Sequence, residues 1–205
     1  MSVDARVRLI GKAVAFTVAL AIAAPLIIMA WLEERLLRGE VLFQLSSQLL
    51  AVVPGFPGRY LRGAYYYGTL ESCSWETHIG FGSLFTHRGA TVGPRVSMGA
   101  YCVIGHARIG EEARIGSRVS IPSGKRQHLD DEGRLAAVTR FEHVSIGAKT
   151  WVGEGAIIMA DVGGRCIVSA GSIVTKEIPS ECVAAGNPAR VLRNASGAPT
   201  AQPMD

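Results

Sequence analysis

The chain is 205 residues long, 48% hydrophobic but only 7% aromatic, and holds 24 glycines. That is the length of one ordinary domain with a short appendage, and the aliphatic, glycine-rich composition argues against a helical bundle and against disorder. A net charge of +4 on scattered basic residues argues against a nucleic-acid partner. A mean hydropathy of +0.25 is high for a purely water-facing domain, so some segment is expected to meet lipid. Cys73, Cys102, Cys166 and Cys182 form no Cys-x-x-Cys or other ligand spacing. They read as reduced thiols of a cytosolic setting.

At the N-terminus, residues 13–32 carry no charge, and a bilayer-crossing helix needs about 20 such residues. Arg6, Arg8 and Lys12 precede the run; Glu33, Glu34, Arg35 and Arg38 follow it. A cleaved signal peptide shares this order, but the run is long and no small-x-small cleavage site follows. Pro25 removes a backbone hydrogen bond inside the run and predicts a kink. Residues 41–53 place Val41, Leu42, Leu45, Leu49, Leu50 and Val53 opposite Gln44, Ser47 and Gln48. That spacing predicts a helix lying at the membrane surface or packed on the globular domain. PGFPGR at 54–59 is expected to end the helical part. Residues 1–56 are thus a membrane-associated helical segment, meeting the membrane through 13–53, and 57–77 a connector.

Beyond residue 78 aliphatic-Gly steps recur, as at Ile79-Gly80, Val92-Gly93, Met98-Gly99, Ile104-Gly105, Ile146-Gly147 and Val152-Gly153. Val92, Met98 and Ile104 keep a six-residue beat; so do Ile109, Ile115 and Ile121, then Ile146, Val152 and Ile158, then Val168 and Val174. Small residues often fall four places on, as at Ala113, Thr150, Ala156 and Ser172. No α-helix has that period. Six residues suit a short strand and a tight turn, with one aliphatic inward and glycine relaxing the corner. Stacked coils of this kind bury a continuous ladder of aliphatics. The predicted fold is mainly β, a parallel β-helix over 78–193, followed by an Ala/Pro/Ser/Thr-rich tail at 194–205 that reads as disordered.

The segments IGAKTWVGEGAIIMADV (146–162), VSAGSIVTKEIP (168–179) and AAGNPARVLR (184–193) resemble the hexapeptide-repeat acyltransferases of the galactoside and maltose O-acetyltransferase type. The resemblance spans 79–193, and the first 60 residues look more like membrane-associated acyltransferases of polysaccharide pathways. It implies a left-handed β-helix. Only the resemblance supplies that hand, since about 98% of parallel crossovers are right-handed. It also implies acetyl-CoA as co-substrate, no metal, a homotrimer, and a glycan or lipid-linked glycan acceptor. Because acetyl-CoA is a cytosolic metabolite, the enzyme is expected on the cytosolic face of the inner or plasma membrane.

After Ile121 the beat stops, and it resumes at Ile146. A coil cannot absorb so many residues, so 122–145 is an extruded loop, where function concentrates on rigid scaffolds. It holds His128 beside Asp130, Asp131 and Glu132. The resembling enzymes carry a catalytic histidine in a loop at this place, and His128 matches it by order and context, although Leu129 replaces the proline that often follows. Moving an acetyl group from a thioester to a hydroxyl requires that the hydroxyl proton leave as the bond forms. An imidazole with pKa of about 6.5 takes it at neutral pH and returns it to the departing thiolate. A solvated loop histidine is the alternative.

His87 and His106 each follow an inward aliphatic by two residues and so stack at one corner, as an acceptor-binding pair or as surface turn histidines. His78 and His143 flank coil entry points and read as structural. By the resemblance, Trp151 borders the active site, the Ala170 backbone contacts the pantetheine arm, and Thr175, Lys176, Arg190 and Arg193 meet the nucleotide end. Lys and Arg give charge-assisted contacts to phosphates there. Packing at a coil corner accounts for Trp151 equally, and a solvated C-terminus for Arg193. Glu154 stands where the galactoside type has a small polar donor, and the acceptor-side asparagine has no clear counterpart.

Two other classes compete. Zinc hydratases also use this β-helix, but they need converging histidines with a close His-x4-His pair, and the spacings between His78, His87, His106, His128 and His143 offer none. A non-catalytic scaffold would not need the TKEIP and GNPAR segments or the histidine loop. Orientation carries a conflict of its own. Arg6, Arg8 and Lys12 outnumber Arg35 and Arg38, which places the N-terminus in the cytosol, and a full crossing would then export the enzyme. A helix broken at Pro25 that re-enters the same face resolves this; reversed insertion is the rival.

Overall fold

The computed structural model describes residues 3–130 and 132–194; most of the tail expected to be disordered, and Asp131, lie outside the described residues. The six-residue beat folds into a β-solenoid with three parallel faces. The first face stacks β1 (Ser72–Cys73), β4 (Thr91–Val92), β7 (Ala107–Ile109) and β10 (Val144–Ile146). The second stacks β2 (His78–Ile79), β5 (Ser97–Met98), β8 (Arg114–Ile115), β11 (Trp151–Val152), β13 (Ile167–Val168) and β15 (Cys182–Gly186). The third stacks β3 (Leu84–Phe85), β6 (Val103–Ile104), β9 (Ser120–Ile121), β12 (Ile157–Ile158) and β14 (Ile173–Val174). Cys73, Val92, Ile109, Ile146, Val162 and Ile178 stand above one another on the first face, one per turn. Ile79, Phe85, Met98, Ile104, Ile121, Val152, Ile158, Val168 and Val174 are fully buried, so the predicted ladder is the core. Burying each such side chain contributes about 1.5–3 kcal/mol relative to leaving it exposed. The four cysteines are buried free thiols.

The glycines serve a different purpose from the one expected. A Cβ on Gly80 would sit 2.2 Å from the carbonyl oxygen of Gly99, and one on Gly147 would sit 2.2 Å from the amide nitrogen of Gly164. Where a glycine follows an inward aliphatic, it is there because the next coil's backbone lies against it. The left-handed turn positions fall elsewhere and are often filled by other residues, among them Arg95, Tyr101, Glu112, Arg118, Lys149, Arg165 and Glu181.

Three helices precede the solenoid: α1 (Val3–Leu37), α2 (Val41–Ala51) and α3 (Gly55–Thr69). α1 runs through Pro25 as one helix rather than breaking there. PGFPGR does not end the helical part but opens α3, with Pro54 as its N-cap. Pro57 lies in the first turn, where a missing N–H costs no intrahelical bond. The expected connector is therefore mostly helix, and the first coil begins at β1, before residue 78. α2 and α3 close the open end of the solenoid, with Phe43 stacked on Tyr65, Tyr65 edge-on to Tyr66 and Tyr66 edge-on to Phe85. Buried Arg62 donates from Nη1 to the carbonyls of Leu50 and Val53 at 3.1 and 2.8 Å, and from Nε to Ile79 at 3.2 Å. At the other end β16 (Ala189–Asn194) folds back antiparallel on β15 through a cis Asn187–Pro188 bond.

α2 is patterned inside out. Ser46 and Ser47 face inward with Phe43 and Leu50, and Ser47 donates to the carbonyl of Phe85 at 3.0 Å and meets Tyr66 Oη. Val41, Leu45, Leu49 and Val52 face outward. Of the side the sequence expectation took as polar, the helix buries Ser47 while Gln48 stays exposed and Gln44 half-buried.

Candidate functional site

Each coil turns from the third face to the first through one corner, and that corner gathers the candidate residues. His87 follows β3, His106 joins β6 to β7, the loop 122–143 leaves after β9, and Thr175 and Lys176 follow β14. The loop is rooted by Ser123, whose Oγ accepts the His106 N–H at 2.9 Å, and by Val144, whose N–H donates to the His106 carbonyl at 2.9 Å. It then closes on itself as a hairpin. Arg140 N–H donates to the Gln127 carbonyl and Ala136 N–H to the His128 carbonyl, both at 2.9 Å. At its tip Asp130 accepts the Arg134 N–H at 2.8 Å, which holds its carboxyl below the usual carboxylate range. His128 is exposed on this hairpin, and its ring makes no hydrogen bond among the described residues.

At the foot of the loop the expected histidine pair does meet. The His87 and His106 ring centroids are 4.7 Å apart. Two residues from the loop's return join them: Phe141, stacked 5.4 Å from His106 and 4.3 Å from His87, and His143, edge-on 5.3 Å from His106. His143 Nδ1 is buried without a hydrogen-bond partner among the described residues. The His106 ring is pushed below the ordinary imidazole range by burial and then by the charge it would share with His87 and His143. Among the described residues no group of three His, Cys, Asp or Glu side chains is arranged to hold a metal ion.

His87 has a partner the sequence does not announce. Glu40, in the turn between α1 and α2, accepts from His87 Nδ1 at 2.7 Å with one oxygen and from the Arg88 backbone N–H at 3.0 Å with the other. Such a bond fixes the imidazole tautomer and leaves Nε2 as the acceptor. His87 lines a cavity of about 190 Å³ whose other walls include Ser120 and the loop residues Ser123 and Gln127; His128 is not one of its lining residues.

The residues carried over for the acyl donor are divided among faces. Lys125, in the loop, donates to the Thr175 carbonyl at 3.4 Å and so brings a further cation beside Thr175 and Lys176. Ala170 is exposed after β13, with its amide nitrogen against Gly153. Arg190 and Arg193 project from β16 on the second face, both exposed. Trp151 also lies on the second face, 54% exposed, with Arg95, Glu112, Arg114 and Lys149 around it. One protomer does not bring Trp151 to the corner that holds His128. Glu154 is exposed and lies 3.9 Å from Arg118.

Fold and corner together define a class, a hexapeptide-type parallel β-solenoid with an extruded loop over a histidine-lined cavity. No protein-family model matches the sequence, and no curated protein matches it. Among solved structures the chain is similar to a maltose O-acetyltransferase from Clostridium difficile 630, with a TM-score of 0.68 and 23% identity over 78% of this chain and 88% of that one. It is also similar to a hexapeptide-repeat-containing acetyltransferase from Vibrio cholerae complexed with acetyl coenzyme A, with a TM-score of 0.55 and 21% identity over 75% and 88% of the two chains. A galactoside acetyltransferase in complex with coenzyme A gives a TM-score of 0.55 and 21% identity over 73% and 79%. At these identities the likeness is one of fold.

Proposed function

We propose that this protein is an acetyl-CoA-dependent O-acetyltransferase that acts on a hydroxyl of a glycan or lipid-linked glycan at the cytosolic face of a membrane. The observation that carries this reading is the corner itself, where the foot of the extruded loop that bears His128 forms one wall of a cavity lined also by a carboxylate-held histidine. In the proposed step the acceptor oxygen attacks the thioester carbonyl while His128 takes its proton. The C–S bond then breaks and the proton passes to the departing thiolate, with no acyl-enzyme intermediate. His87, steadied by Glu40, and His106 hold the acceptor side. Lys125, Lys176, Arg190 and Arg193 offer charge to the phosphates of coenzyme A, and Ala170 a backbone contact to its pantetheine arm. Trp151 reaches this corner only from a neighbouring protomer, which is how a homotrimer of left-handed β-helices completes the site.

The membrane reading is supported by the outward apolar faces of α1 and α2. Ile22 is 61% exposed and Leu49 is 55% exposed, while Ser47 on the same segment is fully buried. A water-soluble helix shows the opposite pattern. Since α1 is unbroken and packs along α3, residues 13–53 are proposed to lie in the cytosolic leaflet as an in-plane anchor.

The test is free-thiol release from acetyl-CoA with a panel of sugars, oligosaccharides and lipid-linked glycans. Release with at least one acceptor class is expected; failure to bind acetyl-CoA by calorimetry would overturn the assignment.

A further inference from the structure

α1 turns a narrow face to the protein through Ala19, Ala23, Ile27 and Ala30, and its remaining surface from Val7 to Leu36 is largely apolar and exposed. Beside its first half lies a cavity of about 340 Å³ between α1, α3 and the first coils. One wall is aromatic. Phe16 meets Trp75 edge-on with centroids 6.1 Å apart, and Tyr60 is stacked on the exposed Phe56 at 6.4 Å. Aromatic rings of this kind settle at the headgroup level of a bilayer.

The cavity is also electropositive. Lys12 on α1 and Arg59 on α3 both line it, and neither has a carboxylate partner among the described residues. Arg95, on the same wall, is already matched by Glu76, Glu111 and Glu112. His78, on the wall formed by the coils, is held below the ordinary imidazole range by burial and then by Arg59 and Arg62. The pocket therefore has the opposite character to an acidic or neutral groove: two unmatched cations, an aromatic rim, and an apolar helix running away from it.

We infer that this cavity seats the phosphate headgroup of an anionic phospholipid, whose acyl chains lie along the exposed face of α1. Lys12 and Arg59 bracket the phosphate, and Phe16, Tyr60 and Trp75 pack on the glycerol region. The site rests on the membrane-associated reading above but not on the acetyltransferase reading. It adds a recognition step to the anchor, because a headgroup clasped between α1 and α3 fixes how the solenoid sits on the membrane.

The full-length protein in mild detergent is mixed with vesicles of phosphatidylcholine alone, or of phosphatidylcholine with phosphatidylglycerol, and floated on a density gradient. Binding to the mixed vesicles is expected to exceed binding to the neutral ones. The Lys12→Gln/Arg59→Gln variant should lose that preference by roughly 5- to 30-fold, the worth of two cations near an anionic surface. Lys12→Arg/Arg59→Lys, which keeps both charges, should retain it, and this separates loss of the site from loss of the fold. Equal binding of the wild type to both vesicles overturns the proposal. So does an equal loss in Arg6→Gln/Arg8→Gln, which would mean diffuse attraction, or release by millimolar glycerol phosphate, which would mean a free-phosphate site. Failure to float with any vesicle would instead remove the membrane reading beneath it.

Discussion

Glu40 grips Nδ1 of His87 at 2.7 Å across 47 residues of sequence. The carboxylate is itself steadied by the Arg88 N–H, so the helical segment supplies half of a carboxylate–imidazole pair whose other half belongs to the first coil. The helical segment and the proposed acceptor site are in this way one structure. Glu40→Gln keeps the size of the side chain but replaces the accepting oxygen or turns a donor toward His87. Acceptor-dependent thiol release is expected to fall roughly 10- to 100-fold, the worth of a charge-assisted hydrogen bond of about 1.5–3 kcal/mol. Acetyl-CoA binding by calorimetry should be unchanged, and Glu40→Asp should recover part of the rate. A variant as active as the wild type would remove the pair from the site.

His128 stands exposed on a hairpin held by backbone bonds and by the Asp130–Arg134 contacts, none of which uses the His128 ring. His128→Ala should therefore fold normally and bind acetyl-CoA while turnover drops by roughly 10²–10⁴, the usual worth of a positioned acid or base. Steady-state kinetics with the acceptor found in the panel checks it. Activity within a few-fold of wild type would take His128 out of the mechanism.

The histidine cluster makes stability depend on pH with a definite sign. Burial first, then His87 and His143, holds the His106 ring below its unfolded pKa, against the smaller pull of Glu40 and Glu71. Burial and two arginines do the same to His78. The unfolded chain then binds more protons than the folded one, so stability rises with pH through that window. It is present above the unfolded value of about 6.5 and lost as pH falls below it. Thermal melts between pH 7.5 and 5 should show the decline, and His106→Gln should flatten part of it.

Close stacking of coils predicts a sharp contrast between two glycines. At Gly147 a Cβ would meet the Gly164 amide nitrogen at 2.2 Å, whereas at Gly155, with φ of 68°, nothing lies within 4 Å. Gly147→Ala must push whole coils apart and is expected to cost upward of about 3 kcal/mol. Gly155→Ala bears the left-handed backbone penalty alone, about 1–2 kcal/mol. Denaturant unfolding of the two variants checks the order.

The proposed homotrimer is open to a direct measurement. Because Trp151 and the His128 loop lie on different faces of one protomer, a shared site requires neighbours. Light scattering in mild detergent should give three chains per particle, and a fully active monomer would refute it.

The solenoid was legible because its cause is local. A period of six written in Ile109, Ile115 and Ile121, and again in Ile146, Val152 and Ile158, forces the same short strand and turn at every coil, and where the period fails after Ile121 the chain must leave the stack. The same periodicity locates the loop that carries His128 and brings His87 to His106. α3 is hidden from it, because Pro54 and Pro57 look like helix breakers although they occupy the cap and first turn. It misses the role of the glycines as well, since what crowds Gly80 is the backbone of Gly99 in another coil. It has no means of finding Glu40, Phe141 or Lys125, or the turning of Ser47 inward while Leu49 faces out. Periodicity reports the environment that neighbouring residues share along the chain, whereas these contacts join segments with no common pattern. They arise only when the helices close the end of the stack and the loop returns across its corner.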